Sequence, residues 1–411
     1  MVKRRHVYHV AGYDPIDAGA LYRRFTRQLD TFRRTWSVEA SLSELAQSDD
    51  GTRAWWTVTA GAADWQVEAV HEALLWDDIV RGDFRRALPG RLLDAARVYL
   101  DYIATGTMFR YVAANPRYAT FFLFPVFALA LFAAAGWLAA RLLTGWVGIE
   151  GVAAAAVGLL VGLAVFYALL QWPGRRWRVE QLLDDWICAH DYLHGRRPDI
   201  DARLERFAET LIARSRAGAA DEIVLVGHSL GAMLVLDLLV RALARDGDLV
   251  RRGAAICVLT VGATIPKFAL HPRAHEMRRK IACIAGEPAI AWTEYQSRDD
   301  TISFYKFDPV ALRRVAGDRL DGKPVIRRVQ IHDMLLPETF ARCRRNVLRL
   351  HYRSVMANDR RAPYDYFMMV AGPVSFTAWT TSPAGFLDFI GADGGYRDGA
   401  HRAAAATPAS A

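Results

Sequence analysis

The chain has 411 residues, 53% of them hydrophobic, and carries 52 Lys and Arg residues against 44 Asp and Glu residues, a formal net charge of +8. A chain of this length and composition can bury a sizeable core and is long for a single domain. No zinc-ligand spacing, RNA-binding aromatic signature or dense basic stripe accompanies the positive charge, so we expect no nucleic-acid partner. An anionic membrane surface is the expected counterpart of the charge.

The cysteines and the N-terminus indicate the compartment. The four cysteines lie far apart and form no C-x-x-C pair, which favours mostly buried thiols in a reducing compartment. They are Cys188, Cys257, Cys283 and Cys343. Residues 1–6 lack the apolar region of a secretory signal, so no cleaved export signal is expected. The sequence predicts no metal site and no cofactor.

The N-terminal region begins with strand-like segments and one amphipathic helix. Residues 7–10 form an apolar strand that ends in a turn at Gly12. A helix is predicted over residues 18–36, and two strand-like runs follow at 54–59 and 66–70.

Two uncharged segments, residues 119–140 and 151–172, occupy the middle of the chain. Each is long enough to cross a bilayer core of about 30 Å at about 1.5 Å per residue. Neither segment has a polar face, which disfavours two buried core helices. Residues 141–150 connect them, so residues 119–172 are predicted to form a transmembrane hairpin with both ends on the same side of the bilayer.

The distribution of arginine predicts the orientation of this hairpin. The connector carries only Arg141 and Glu150, whereas arginines cluster outside both spans. These are Arg110, Arg117, Arg175, Arg176 and Arg178. The positive-inside rule therefore predicts a two-span protein of the cell inner membrane, with both termini and the flanking soluble parts in the cytoplasm.

Small residues repeat every four positions in the second segment, at Ala154, Gly158 and Gly162. Such a seam is suited to close contact between helices. Its partner is either the first span or a second copy of the protein, in which case the seam would support a homodimer.

The region after the hairpin alternates strands and helices. A helix is predicted at residues 203–216, and strands are predicted at 223–226, 254–261, 290–295 and 325–331. Several of these strands are wholly apolar, which indicates an α/β fold with a mainly parallel sheet and helices on both faces.

The hairpin divides this α/β domain into an N-terminal part, residues 1–118, and a C-terminal part, residues 173–391. Residues 392–411 turn to Gly, Ala, Asp and Ser and are predicted to be a disordered tail.

The segment Gly227-His228-Ser229-Leu230-Gly231 lies between the apolar strand at 223–226 and a helix-like run at 232–240. A strand, G-x-S-x-G and a helix in this order are typical of a nucleophile elbow, in which the two glycines permit a sharp turn and expose the serine hydroxyl. The following helix directs its N-terminal N–H groups toward charge that develops on a bound carbonyl oxygen. Ser229 is therefore the predicted nucleophile.

A serine nucleophile needs a base and an acid, which follow it in the chain in this type of architecture. Asp300 lies in a polar turn after the strand at 290–295 and is the predicted acid, with Asp299 as its competitor. Two histidines follow, and we favour His351 over the alternative base His332.

The sequence also predicts the groups that would bind an oxyanion. The N–H of Leu230 is the expected first donor, and the turn at Gly12 and Tyr13 is expected to supply the second. His228, inside the elbow, is expected to point away from the nucleophile and to pack.

Three features together resemble the α/β-hydrolase superfamily: the strand that ends in Ala11-Gly12-Tyr13-Asp14-Pro15, the elbow, and the late Asp and His. The Gly-His-Ser-Leu-Gly form is similar to the elbow of lipases and esterases. The chain also resembles bacterial α/β hydrolases that carry a two-span transmembrane insertion. It departs from the common pattern at Ala11, where His usually precedes the glycine.

The resemblance implies hydrolysis of an ester through an acyl-enzyme, without naming the substrate. We expect a membrane-anchored serine hydrolase that acts on an apolar lipid or acyl ester. A thioesterase or acyltransferase could use the same triad, because only the leaving group or the acyl acceptor differs. The alternative is a protein without catalytic activity: a membrane protein of similar fold that serves in binding or assembly.

Overall fold

A computed structural model describes residues 1–397 and shows a mixed α/β protein. The chain divides into two compact units. The sheet unit consists of Met1–Val80 together with the chain from Gly195 onward, and the helical unit is Arg81–His194.

The strands have the following bounds: β1 Arg4–Val10, β2 Glu39–Leu42, β3 Ala46–Gln47, β4 Arg53–Ala62, β5 Trp65–Leu74, β6 Glu222–His228, β7 Ala255–Val261, β8 Ile290–Ser297, β9 Phe307–Asp308, β10 Arg313–Arg314 and β11 Val325–Val329.

The helices are α1 Ala18–Trp36, α2 Asp77–Phe84, α3 Leu88–Ala104, α4 Thr107–Ala114, α5 Pro116–Val147, α6 Gly151–Leu169, α7 Val179–Leu193, α8 Pro198–Ala217, α9 Gly231–Arg245, α10 Ile265–Ala269, α11 His275–Gly286, α12 Ile331–Met334, α13 Pro337–Cys343, α14 Val347–His351, α15 Tyr366–Ala371 and α16 Phe376–Thr381. A π-helical turn spans Leu170–Gly174, and short 3₁₀ turns span Leu249–Arg251, Tyr352–Val355 and Gly385–Asp388.

The central sheet has the order β11-β8-β7-β6-β1-β5-β4-β2, with β3 paired to β4. Neighbours from β11 to β5 run parallel, and β4 runs antiparallel to both β5 and β2. This mostly parallel sheet confirms the expected mixed α/β class. Because the carboxyl ends of β1, β6, β7 and β8 share one edge, the loops that follow these strands come together there.

The burial of side chains in each strand explains why some strands were easy to predict from the sequence. Every residue of β6 is buried, as its apolar character requires when both faces of a sheet are covered. In contrast, β4 alternates between buried and half-buried residues and forms an antiparallel hairpin with β5. The predicted helix over residues 18–36 is α1, which Asp17 caps by accepting a hydrogen bond from the Ala20 amide at 2.7 Å.

The helical unit contains two helices that are long and apolar enough to cross a membrane, judged by length and composition: Pro116–Val147, and Gly151–Gly174, which combines α6 with the π-helical turn. The first begins at Pro116, where Asn115 caps α5, and stays helical to Val147, and the second runs to Gly174, so both extend beyond the predicted segments. The connector is therefore residues 148–150 and not the predicted 141–150.

The two long helices pack closely through small residues. A Cβ atom added at Gly136 of α5 would lie 2.5 Å from the carbonyl oxygen of Gly162, so the two backbones touch there. Ala140 of α5 lies beside Gly158. Two of the three seam residues therefore pack against the first span, which was one of the two partners that the sequence left open.

The first six residues of the predicted tail, 392–397, take part in backbone hydrogen bonds. The amide of Arg397 donates to the carbonyl of Phe389 at 2.7 Å, and the amide of Gly391 donates to the carbonyl of Gly395 at 2.8 Å. Residues 392–397 therefore form a closed turn, because backbone pairing compensates for their small, polar composition. Residues 398–411 of the predicted tail lie outside the described residues.

Candidate active site

Ser229 occupies a sharp turn between β6 and α9. Its φ angle is +57°, in the left-handed region that residues with a side chain rarely adopt. The surrounding backbone holds this conformation: the Ser229 amide donates to the carbonyl of Val261 at 3.2 Å, and the Ser229 carbonyl accepts from the amide of Thr264 at 3.2 Å. The turn thus directs a half-buried serine away from the end of a buried strand.

The glycines of the motif are needed for close backbone approach. A Cβ atom at Gly227 would lie 2.5 Å from the Cα atom of Ala232, and one at Gly231 would lie 2.2 Å from the carbonyl oxygen of Val10. Both distances are shorter than any side chain tolerates, so each position excludes other residues. The G-x-S-x-G pattern therefore has a steric cause at both of its glycines.

Asp300 and His351 form a buried pair, although 51 positions separate them in the chain. The Nδ1 atom of His351 lies 2.8 Å from Oδ2 of Asp300, and the two side chains are 5% and 3% exposed. The other carboxylate oxygen of Asp300 accepts a hydrogen bond from the Ile302 amide at 3.0 Å. The carboxylate thereby fixes the ring and requires its proton on Nδ1, which leaves Nε2 as the basic nitrogen.

Contacts through Gly262 place this pair next to the elbow. The backbone of Ser229 forms hydrogen bonds with Val261 and with Thr264. These two residues flank the pair Gly262 and Ala263. A Cβ atom at Gly262 would lie 3.0 Å from Cε1 of His351 and 3.2 Å from Oδ2 of Asp300. Gly262 has a φ angle of +54°, so glycine suits both its conformation and the ring beside it.

His228 provides a second link between the elbow and the base. Its Nε2–H donates to the carbonyl oxygen of His351 at 3.1 Å, and the centroids of the two rings are 4.5 Å apart. His228 packs, as the sequence suggested, and the group against which it packs is the candidate base.

Within the described residues, Ser229 and His351 do not share a side-chain hydrogen bond. The Nε2 atom of His351 is buried and has no hydrogen-bond partner there. Hydrogen bonds between a nucleophile and its base are often long before substrate binds, so the buried, unpaired nitrogen is compatible with a base.

The turn after β1 lies against the nucleophile. A Cβ atom at Gly12 would lie 2.7 Å from Cβ of Ser229, so this turn can approach only because residue 12 is glycine. Leu230 precedes α9, and the first N–H groups of a helix have no acceptor within the helix. The structure therefore brings the three predicted oxyanion residues, Gly12, Tyr13 and Leu230, into one region beside Ser229.

Side chains hold this turn from two directions. The indole N–H of Trp76 donates to the Ala11 carbonyl at 3.0 Å, and the Tyr13 ring lies 5.9 Å from the Trp76 ring. On the other side, the hydroxyl of Tyr352 donates to the carboxylate of Asp14. Because Tyr352 directly follows His351, the turn and the candidate base are connected through a single hydrogen bond.

His332 and Asp299 lie apart from this arrangement. The His332 side chain is 46% exposed, and its nitrogens face Asp299 at 3.5 Å and Asp333 at 3.3 Å. Asp299 accepts a hydrogen bond from the Ile331 amide at 2.9 Å, a capping role at the start of α12. Of the alternatives that the sequence left open, the structure therefore pairs Asp300 with His351.

Burial and charge set the protonation of two groups at the site. Burial opposes ionisation of Asp300. The adjacent His351, together with the hydrogen bonds that the Asp300 carboxylate accepts, nevertheless holds the pKa of Asp300 below its ordinary value. Burial, followed by the charge of His351, lowers the pKa of His228 to about 3. His228 is therefore neutral near pH 7 and contributes a hydrogen-bond donor without a charge.

Three residues of the site were not singled out from the sequence: Asp14, Gly262 and Tyr352. Gly262 could have been found, since it follows directly on the predicted strand at 254–261. The pairing of Asp14 with Tyr352 joins positions 338 residues apart, and no local pattern shows it.

Neither the elbow nor the Asp–His pair lies in a metal-ligating cluster. Among residues 1–397, the group of three side chains that could hold an ion is Asp101, His190 and His194, in the helical unit. Comparison of the chain with family models, with curated proteins and with solved structures finds no match in any of the three.

Proposed function

We propose that this chain is a membrane-anchored serine hydrolase with an α/β-hydrolase fold, and that it cleaves carboxylic esters of apolar acyl groups through Ser229, His351 and Asp300. The observation that carries the proposal is the left-handed Ser229 at the end of β6, with a buried Asp–His pair beside it. Left-handed backbone at a non-glycine residue is strained, and such strain concentrates at functional sites.

The chemistry follows from the roles of the three side chains. Oγ of Ser229 attacks the ester carbonyl carbon while its proton passes to Nε2 of His351, giving a tetrahedral intermediate. Collapse of this intermediate breaks the C–O bond to the alcohol, which leaves with the proton from His351. Water then attacks the acyl-serine by the same route and releases the acid. Asp300 holds the tautomer and stabilises the imidazolium in both steps.

The backbone around Ser229 would supply the oxyanion donors. Leu230 and the turn at Gly12 and Tyr13 adjoin the nucleophile, and donors fixed before the reaction stabilise developing charge without reorganisation. Each such donor contributes on the order of 3 kcal/mol to lowering the barrier in characterised hydrolases.

The apolar substrate class rests on the two candidate spans. Side chains at the ends of these helices are strongly exposed, with Trp146 at 86% and Trp172 at 83%. Indole rings at this exposure suit a membrane–water interface. An enzyme held at a bilayer meets acyl esters that partition into the membrane, which favours lipid or acyl esters over polar ones.

Fluorophosphonate labelling of the full chain in detergent tests the proposal. The parent protein should label, Ser229→Ala should not, and the exposed β2 variant Ser41→Ala should label as the parent does. A parallel assay with p-nitrophenyl esters of increasing acyl length should show turnover that Ser229→Ala abolishes. Loss of one half-buried hydroxyl should leave the fold intact, which circular dichroism checks.

Failure of labelling in the folded parent protein would overturn the proposal and favour the silent binding or assembly protein. Labelling that persists in Ser229→Ala would assign the nucleophile elsewhere. If labelling follows Ser229 but thioesters or acyl transfer to an added alcohol proceed faster than ester hydrolysis, the triad stands and the reaction class changes.

Orientation in the membrane needs a separate test. Arginines outside the spans favour a cytoplasmic sheet unit, with residues 148–150 on the opposite side. Cys283 is exposed and would itself react with a thiol reagent, so the test variants are made in a protein that carries Cys283→Ser. In intact cells, an impermeant thiol reagent should modify Gly148→Cys and spare Ser41→Cys. The reverse pattern would mean that the sheet unit is exported.

A further inference from the structure

The helical unit contains a cluster of metal-ligating side chains that the proposed hydrolase does not use. Asp101 comes from α3, His190 from α7, and His194 from the position directly after α7. One ligand atom from each side chain lies within 4.8 Å of the others. Ligands at metal–nitrogen and metal–oxygen distances of about 2.0–2.2 Å lie at most about 4.4 Å apart, so small side-chain movements would bring the three atoms onto one ion.

The spacing of the histidines has a helical cause. His194 caps the C-terminal end of α7, and its amide still donates to the carbonyl of His190 four residues earlier, so the two rings lie about one helical turn apart on the same face. Their ring centroids are 4.3 Å apart. Two histidines at this spacing on one helix are a recurrent zinc-binding arrangement, and a third ligand from another helix completes it.

The second nitrogen of each ring faces an oxygen. Nδ1 of His194 lies 2.8 Å from the carbonyl oxygen of His190 and must therefore carry its proton, which directs the lone pair of the neutral ring to Nε2. In His190, Nε2 lies 3.0 Å from Oδ2 of Asp101, and Nδ1 faces Asp191 at 3.7 Å. Metal-ligating histidines are oriented in this way by carbonyl and carboxylate oxygens.

Charge and burial are consistent with a bound cation. His190 is 4% exposed and Asp101 is 21% exposed, so the site would be largely shielded while one side stays open. Arg97 balances Asp191 through an ion pair of 2.9 Å. The carboxylate of Asp101 contributes a negative charge beside the His190 ring.

We propose that Asp101, His190 and His194 form a binding site for a divalent transition-metal ion of the zinc class. Two imidazole nitrogens and one carboxylate oxygen suit zinc, cobalt, nickel or iron better than magnesium or calcium, which prefer ligand sets of oxygen alone. The three side chains leave one position of a tetrahedron for water. The ion would join α3 to the end of α7 within the helical unit.

Metal binding to the full chain tests this site directly. The protein is purified in detergent with a tag that contains no histidine, stripped with a chelator, and titrated with Co²⁺ and then with Zn²⁺. We expect a visible Co²⁺ absorption band with one ion per chain that Zn²⁺ displaces. X-ray absorption of the zinc form should show about two imidazole ligands at about 2.0–2.1 Å and no sulfur at about 2.3 Å.

Variants identify the ligands. Asp101→Asn and His194→Gln keep side-chain size at two partly exposed positions, and each should weaken Co²⁺ binding by at least about 100-fold. The matched control is His275→Gln, an exposed histidine in α11 that should bind as the parent does. Buried His190 is left unchanged to protect the fold.

A parent protein that gives no Co²⁺ band, or a zinc site with sulfur or without two imidazoles, would overturn the proposal and leave an Asp–His hydrogen bond between two helices. Equal binding in the parent and in both ligand variants would also overturn it. The absorption measurement on the parent protein decides the question even if a variant does not fold.

Discussion

The sheet unit contains a buried Asp–His pair and the helical unit a partly buried one, and the two pairs use the ring differently. Asp300 faces Nδ1 of His351 at 2.8 Å, whereas Asp101 faces Nε2 of His190 at 3.0 Å. In the first pair the nitrogen opposite the carboxylate has no partner among the described residues, and the third group is a strained serine. In the second pair the third group is another histidine.

The difference teaches that a histidine beside a carboxylate does not by itself define a chemistry. In the first pair the carboxylate leaves the lone pair of the opposite nitrogen available, whereas in the second pair the nitrogen that faces the carboxylate is the one that would share the proposed ion with it. With a serine the pair suits proton transfer, and with a second imidazole it suits a cation. Four experiments on the sheet unit can break or sharpen this contrast.

The largest effect should follow removal of the base. We expect His351→Ala to lower kcat for a p-nitrophenyl ester by at least about 10³-fold, because triad members act as a unit. The matched variant His332→Ala removes an exposed histidine and should stay within about twofold of the parent. Comparable losses in both variants would contradict the assignment of His351.

A smaller effect should follow loss of the His228 donor, which positions His351 without touching substrate. His228→Leu removes a hydrogen bond to the His351 carbonyl worth about 1 kcal/mol, so kcat should fall about fivefold with little change in KM. His228→Gln can still offer an N–H and should recover part of the rate. Equal losses in both variants, or a change in KM alone, would argue against positioning.

Tyr352→Phe should lower kcat/KM by a few fold, since it removes the hydroxyl that connects the residue after His351 to Asp14. Asp14→Asn should have a similar effect. In a double-mutant cycle the two losses should not add, because both remove the same interaction. Additive losses would show that the two side chains act independently.

The smallest effect concerns stability at acid pH. The pKa of Asp300 is lower in the folded protein than its ordinary value of about 3.9, so ionised Asp300 contributes stability above that value and loses it as the pH falls through the folded-state pKa. The difference in Tm between the parent and Asp300→Asn should therefore be constant above about pH 5 and shrink below about pH 4. A difference that grows on acidification would mean that the folded-state pKa is raised.

Local patterns predicted much of the sheet unit. The strand at 223–226 and the helix at 18–36 could be found because burial on two faces, or on one helical face, leaves a strong periodic signal. β2 was missed because it has four residues and alternates between exposed and buried positions. The antiparallel pairing of β4 with β5 is local, because two residues separate the strands, whereas the pairing of β5 with β1 depends on distant parts of the chain and could not be predicted.

The same limit applies to the candidate site. Ser229 could be predicted because a strand, two glycines and a helix surround it within a few residues. The preference for His351 over His332 had no comparable local support, because the choice depends on which loop reaches Asp300 at the edge of the sheet. The i, i+4 spacing of His190 and His194 was visible in the sequence, whereas the approach of Asp101 from α3 was not.

The position of the helical unit between β5 and β6 has a consequence for biosynthesis. β1 pairs with β5 on one side and with β6 on the other, and Arg5 and its partner Glu222 are 217 positions apart. At about 5–20 residues per second, roughly 10–40 s pass on the ribosome between synthesis of the two strands. During that interval the edge of β1 that later pairs with β6 has no partner strand, although all but the first residue of β1 is buried in the finished sheet. The central sheet can therefore be completed only after β6 has been translated, so the sheet unit reaches its final pairing late in synthesis.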